Sequence, residues 1–212
     1  MADELVDLSL RIRDGPPSYP TDPPCSVRPH STIAVEGVNV TALAMGTHQG
    51  THLDAPYHFV EGGATVDRIR LEQVCGPAVL LDLSHKGSGE PIEVRDLEGA
   101  GLAEGGRLVY RVGWDRHVGR DDYFLGGPRL TVEAARWLGS LRLALVGMDT
   151  PTPNPDAPID VHRAVLGSGA VFLEGLANLD RLEPGPFELH AAPLLIEGVD
   201  GAPVRAYARR AG

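Results

Sequence analysis

His48-Gln49-Gly50-Thr51-His52-Leu53-Asp54-Ala55-Pro56-Tyr57-His58 packs three histidines and an aspartate into one short stretch. The chain has 212 residues and 8 histidines, so an even spread would leave fewer than one in such a window. Imidazole nitrogen and carboxylate oxygen are the ligands that zinc and its first-row neighbours take. The spacing of His48 and His52 suits one face of a helix, but Gly46, Gly50 and Pro56 argue against a regular one. An irregular loop leaving a strand fits better, and in extended backbone His52 and Asp54 point the same way. Glycine lets such a loop bend tightly around an ion. A polar loop whose histidines cap carbonyls is the bland alternative, and it leaves the clustering unexplained. His58 has three open roles: a fourth ligand, a partner behind the ligands, or a proton donor and acceptor near pH 7.

Working outward, Leu5–Leu10 alternates apolar and polar residues and reads as a strand, followed by a proline-rich loop over 14–24. Ile33–Val35 and Val38–Ala44 read as two strands about Glu36-Gly37. Leu71–Val74 is one helical turn, Ala78–Leu83 and Arg107–Val112 are strands, and Thr131–Leu138 is a helix capped by its threonine. Leu141–Val146 reads as a strand, Ile159–Leu166 as a helix stopped by Gly167, and Val171–Leu176 as a strand. Glu188–Ile196 and Pro203–Ala208 read as strands joined across the Asp200-Gly201 turn. The pattern is mixed α/β and strand-rich, with a few short helices, and 1–212 is read as a single domain.

The cluster is too short to surround two ions, so further ligands must come from elsewhere. His162 on the later helix and Glu174 on the strand after it are the best distant candidates, with Asp149, Asp156 and Asp160 nearby. Glu174 sits inside Val171-Phe172-Leu173-Glu174-Gly175-Leu176, where an unpaired buried carboxylate would be costly. A metal relieves that cost, and so does an edge strand facing water. Arg70, Arg163, His85, His117 and His190 carry no role by this reading.

Composition narrows the function classes. A formal net charge of -10 repels phosphate backbones, which excludes nucleic acid as the expected partner. No apolar run reaches the roughly 18 residues of a membrane span, and Met-Ala-Asp-Glu-Leu lacks the basic and apolar regions of a signal peptide. The expected compartment is therefore the cytoplasm. Cys25 and Cys75 make no disulfide framework.

The run Gly46-Thr-His-Gln-Gly-Thr-His-Leu-Asp-Ala-Pro-Tyr-His-Phe59 resembles the signature of the cyclase-like metal-dependent hydrolases, a family that includes bacterial kynurenine formamidase and isatin hydrolase. Leu5-Val-Asp-Leu-Ser-Leu10, Gly147-Met-Asp-Thr-Pro151, the pair His162 and Glu174, Glu174–Asp180 and Gly201–Ala206 extend the resemblance over nearly the full length. The resemblance implies a swivelling β/β/α fold and two divalent ions, Zn2+ or Mn2+. His48, His52 and Asp54 would hold the first, and Asp54, His162 and Glu174 the second. His58 would be the general acid/base for cleavage of an amide-type C–N bond in a small molecule. N-formylkynurenine is the leading substrate; hydrolysis of a cyclic amide, a cyclase or lyase outcome, and a metal-stabilised binding protein are the alternatives. A homodimer or homotetramer is implied as well. The sequence departs from the family at Gln49, where threonine is frequent. It also carries Tyr19 before Pro20, where the formamidases have tryptophan; an aromatic there can stack on an aryl substrate.

Overall fold

The computed structural model describes residues 4–15 and 17–210; residues 1–3, where the sequence was read for a leader, and Pro16 of the proline-rich loop lie outside them. Strand β1 (Glu4–Asp7) opens the fold. Strands β2 (Ser26–Ser31) and β3 (Val40–Ala44) pair only with each other, as an antiparallel hairpin. After β4 (His52–Asp54) come β5 (Cys75–Asp82), β6 (Pro91–Ile92), β7 (Arg107–Arg111), β8 (Arg129–Leu130), β9 (Leu145–Met148) and β10 (Val171–Glu174). Strands β11 (Gly185–His190), β12 (Gly201–Pro203) and β13 (Tyr207–Arg210) complete the set.

Nine strands form one mixed sheet in the order β1-β13-β11-β5-β7-β9-β10-β4-β12. Its centre, β5-β7-β9-β10, is parallel and its two flanks are antiparallel. The helices are short: α1 (Ile33–Glu36), α2 (Leu71–Val74), α3 (Val94–Leu97), α4 (Val132–Ser140) and α5 (Pro158–Leu166).

Alternation along the central strands divides the interior into two cores. Leu108, Tyr110, Val146, Met148 and Phe172 face α4 and α5, packing on Leu138, Val161 and Val165. Val109, Leu145, Val171, Leu173 and Leu53 face the other way, into the curl closed by β1, β11 and β13. Each fully buried leucine or valine in these layers contributes about 1.5–3 kcal/mol. Helix α4 starts where Thr131 Oγ1 accepts the Ala134 N–H at 3.1 Å. Helix α5 starts on Pro158, stops at Gly167, and buries Val161, His162, Val165 and Leu166. That face turns His162 toward the sheet.

Three sequence expectations fail. Ile33–Val35 is a helical turn rather than a strand, and β3 pairs with Ser26–Ser31. The Ile33 N–H donates to Asn39 Oδ1, the Thr32 carbonyl accepts from Val35 and Glu36, and Gly37 closes the turn at φ 74°. Those local bonds outweigh the β preference of isoleucine and valine. Asp200-Gly201 is not a hairpin turn either. Gly201 begins β12, which pairs with β4, while β11 and β13 pair with each other; the two segments read as a hairpin meet at an isolated bridge, Pro193 with Val204. The strand expected from Leu141 begins instead at Leu145.

Candidate metal centre

The period of the strands builds the site. In β4, Leu53 enters the apolar core, so His52 and Asp54 face the opposite side, toward α5. In β10, Phe172 takes that same side and Glu174 follows two residues later. The antiparallel register sets Glu174 opposite His52 and Phe172 opposite Asp54. Thr51 fixes the approach to β4, donating to the Gly175 carbonyl at 2.5 Å and accepting the Leu10 N–H at 2.8 Å. Gly175 has φ 64°, and a Cβ there would lie 2.8 Å from the Gly50 carbonyl oxygen, so glycine is required on both counts.

Backbone carbonyls orient two of the imidazoles. His52 Nδ1 donates to the Gly50 carbonyl at 3.0 Å, and His162 Nδ1 to the Pro158 carbonyl at 2.6 Å. Both Nε2 atoms thereby face the same two carboxylates, donating a proton to them in the charged ring and offering a lone pair to a metal ion in the neutral one. His52 Nε2 lies 3.4 Å from Asp54 Oδ1 and 3.5 Å from Glu174 Oε2. His162 Nε2 lies 3.6 Å from Asp54 Oδ2 and 3.3 Å from Glu174 Oε1. Each carboxylate thus turns one oxygen to each histidine. His48 adds Nδ1 at 2.8 Å from Asp54 Oδ1, and its Nε2 lies 2.9 Å from Asp200 Oδ2.

Asp54 and Glu174 are both buried, and among the described residues neither pairs with a lysine or arginine. Buried carboxylates need positive charge. Burial opposes a charged ring at His48, yet Asp54 and Asp200 outweigh it and push that imidazole up to about 11. Burial opposes it at His52 too, where Asp54 and Glu174 raise the ring to about 9, and Glu174 and Asp54 raise His162 likewise. Burial favours neutral Asp54, but His48 and His52 hold its carboxyl well below the usual range. Nitrogens that bind protons this readily bind a metal ion by the same lone pairs. The donor atoms of His48, His52 and Asp54 lie within 4.8 Å of one another, as do those of Asp54, His162 and Glu174. Imidazole and carboxylate around a buried, negatively charged point fit a divalent metal ion.

All five residues expected as ligands therefore meet in one place. His58 is in the 3-10 turn Pro56–His58, which Pro56 opens; its ring stacks on His48 with centroids 3.9 Å apart. Its Nδ1 lies 3.3 Å from Asp200 Oδ2. Tyr19 lines the same cavity, of about 240 Å³, and meets Phe124 edge to face at 5.6 Å. Gln49 is buried beneath Tyr19's loop, accepting from Ser18 Oγ at 2.8 Å and donating to the Pro17 carbonyl at 2.6 Å. The other acidic candidates stay outside the cluster. Asp149 accepts the Val112 and Gly113 N–H groups, Asp156 pairs with Arg129, and Asp160 is exposed on α5. Of the residues without an assigned role, His117 stacks on Trp114, His190 stacks on Tyr207, and Arg163 donates to the Phe59 carbonyl. Asp200 is the residue that sequence reasoning missed, because Asp-Gly is a strong turn signal and its histidine partners are far away in the chain.

Known proteins resemble this chain in sequence and in fold. A family profile described as "Putative cyclase" matches residues 6–155. The kynurenine formamidase of Geobacillus thermodenitrificans is 33% identical over 217 residues, covering 100% of both chains. Isatin hydrolase A from Ralstonia solanacearum superposes with a TM-score of 0.87 at 27% identity, covering 99% of this chain and 92% of that one. Isatin hydrolase A from Labrenzia aggregata, bound to benzyl benzoate, gives a TM-score of 0.86 at 26% identity, covering 98% and 93%.

Proposed function

The chain belongs to the cyclase family of metal-dependent hydrolases, and from that premise we propose that it hydrolyses the amide-type C–N bond of a small aryl formamide, N-formylkynurenine or a close relative. The observation that carries this reading is the arrangement of Asp54 and Glu174, each with one oxygen toward His52 and the other toward His162. Such a set suits two divalent ions, Zn2+ or Mn2+, one held by His48, His52 and Asp54 and the other by Asp54, His162 and Glu174. When bound, such ions supply Lewis-acid polarisation of the carbonyl and acidify water for attack.

The side chains do the rest. Burial of Asp54 and Glu174 keeps bulk water from competing for their oxygens. His58 lines the cavity with Nδ1 3.3 Å from Asp200 Oδ2, so Nε2 is the atom that passes a proton to the departing nitrogen. Tyr19 and Phe124 form an aromatic wall against which an aryl ring packs.

The test is a panel of small amides, N-formylkynurenine and isatin among them, assayed with zinc- and manganese-reconstituted protein. Turnover of formamides with little action on isatin supports the reading. The likeness to isatin hydrolases favours a second one, opening of a cyclic amide, and the reverse preference would select it. No turnover at all, with a fold that collapses on chelation, would leave a metal-stabilised binding protein.

We also assign the β2–β3 hairpin to contact with a second copy of the chain, giving a homodimer or a tetramer built from it. Every residue of β3 is exposed, as are Ile33, Val35 and Val38. A lone two-stranded hairpin is marginal in water, so an apolar one standing apart from the main sheet gains from a partner. Among the described residues no helix is long and apolar enough to cross a membrane. The acidic surface disfavours a nucleic-acid partner, and a cytoplasmic small-molecule enzyme is the setting we propose.

A further inference from the structure

Asp200 reaches the site from the opposite end of the chain, and three contacts hold it there. Its carbonyl accepts the Ala55 N–H at 2.9 Å, immediately after β4. Its Oδ1 accepts from Thr47 Oγ1 at 3.1 Å. Gly201 beside it pairs with Asp54 in the β12–β4 ladder, and a Cβ on Gly201 would sit 2.6 Å from His48 Cε1. So the backbone at 200–201 can approach His48 this closely only because residue 201 is glycine.

The remaining oxygen, Oδ2, faces two imidazoles together: His48 Nε2 at 2.9 Å and His58 Nδ1 at 3.3 Å. Those rings are stacked, so one carboxylate oxygen spans the edges of both. His48 points its other nitrogen at Asp54 and the ligand cluster. Among the described residues no hydrogen bond or ion pair engages His58 Nε2, and His58 lines the cavity.

We propose that Asp200 is a positioning residue that holds His58 as the Nδ1–H tautomer, leaving Nε2 to exchange the proton of the reaction. A neutral imidazole carries its proton on one nitrogen, and the hydrogen bond made by the other decides which nitrogen is free to react. Without an acceptor at Nδ1, the ring divides between tautomers and between rotations about χ2, and the fraction ready to work falls. Asp200 exerts the same control on His48, whose Nε2–H it accepts, so it ties the proton carrier to one of the ligands. This inference rests on the hydrolase reading for its kinetic part only.

The test combines a measurement without turnover and one with it. In zinc-loaded protein labelled at histidine with 15N, His58 is expected to show a protonated Nδ1 and a bare Nε2. In Asp200→Asn the amide can turn its NH2 to the ring, and the Nε2–H tautomer should appear. With an aryl formamide, Asp200→Asn should lower kcat roughly 10–1,000-fold, with KM within about threefold. The double variant His58→Ala/Asp200→Asn should match His58→Ala alone within about threefold, because residues acting as a unit are not additive. Asp200→Ala serves as the second variant if asparagine disturbs folding, with thermal melting of the zinc-loaded protein as the check. A wild-type His58 protonated at Nε2, an unchanged kcat in both variants, or losses that multiply in the double variant would each overturn the role. Loss of zinc from Asp200→Asn with the His58 tautomer unchanged would also overturn it, leaving Asp200 as support of His48 alone. If wild type turns over no formamide, the substrate reading fails while the tautomer result still decides Asp200.

Discussion

Glu174 stands directly opposite His52 in the register of β10 and β4, with Oε2 3.5 Å from Nε2. The pairing joins the local histidine cluster to a carboxylate on a distant strand, and it does so through main-chain hydrogen bonds rather than through a flexible loop. The site is therefore as rigid as the sheet beneath it.

Replacing Glu174 with glutamine keeps the size of the side chain and removes the charge that faces both His52 and His162. Metal affinity should fall by more than the roughly 10–100-fold typical of groups that only support ligands. Competition with a chromophoric chelator measures it, and a change within threefold would refute the ligand role.

His58→Ala should retain the metal content of the wild type and lose about 10²–10⁴-fold in kcat. Elemental analysis and steady-state kinetics on one preparation separate the two effects. Full turnover with metal bound would show that the proton moves by another route.

Chelator-treated protein should lose stability as the solution becomes alkaline. His48 and His52 titrate near 6.5 when unfolded and near 11 and 9 when folded, with burial opposing and the carboxylates driving the rise. Their contribution is complete below about pH 6.5 and drains away as pH climbs through 9 and then 11. A metal ion takes the place of those protons, so the loaded protein should lack this alkaline decline. Thermal melts from pH 6 to 10, with and without metal, make the comparison; parallel curves would contradict it.

Tyr19→Ala should raise KM for an aryl formamide roughly 2–10-fold, the value of one aromatic contact, while kcat stays close to wild type. Tyr19→Phe keeps the ring and should leave both parameters within about twofold. An equal loss in the two variants would point to the hydroxyl instead.

Leu43→Asp places a charge on the exposed hairpin. Sedimentation velocity should report a smaller assembly than wild type. An unchanged mass would remove the hairpin from the subunit contact.

How much of this was legible depended on the range of the forces involved. His52 and Asp54 could be paired from sequence because a period of two is local, and Thr131 and Gly167 marked helix ends by chemistry confined to a single turn. Glu174 stood out because a carboxylate among Val171, Phe172 and Leu173 needs compensation. Ile33–Val35 misled because β-branched residues favour strands, and the Asn39 side chain that overrides them is visible only once the turn exists. Asp200 was hidden by its neighbour: Asp-Gly ordinarily makes a hairpin, and here the pairing of Gly201 with Asp54 decides instead.

That pairing has a consequence for synthesis. His48 and Asp200 are 152 positions apart, and β12, the strand that brings them together, follows every ligand residue in the chain. A growing chain exposes all five ligand residues before β12 exists to brace them, so an ion met early is held by an unfinished cradle. Completion of the centre waits for β12 to be made, and a chain cut short before Asp200 would carry every ligand yet lack the brace.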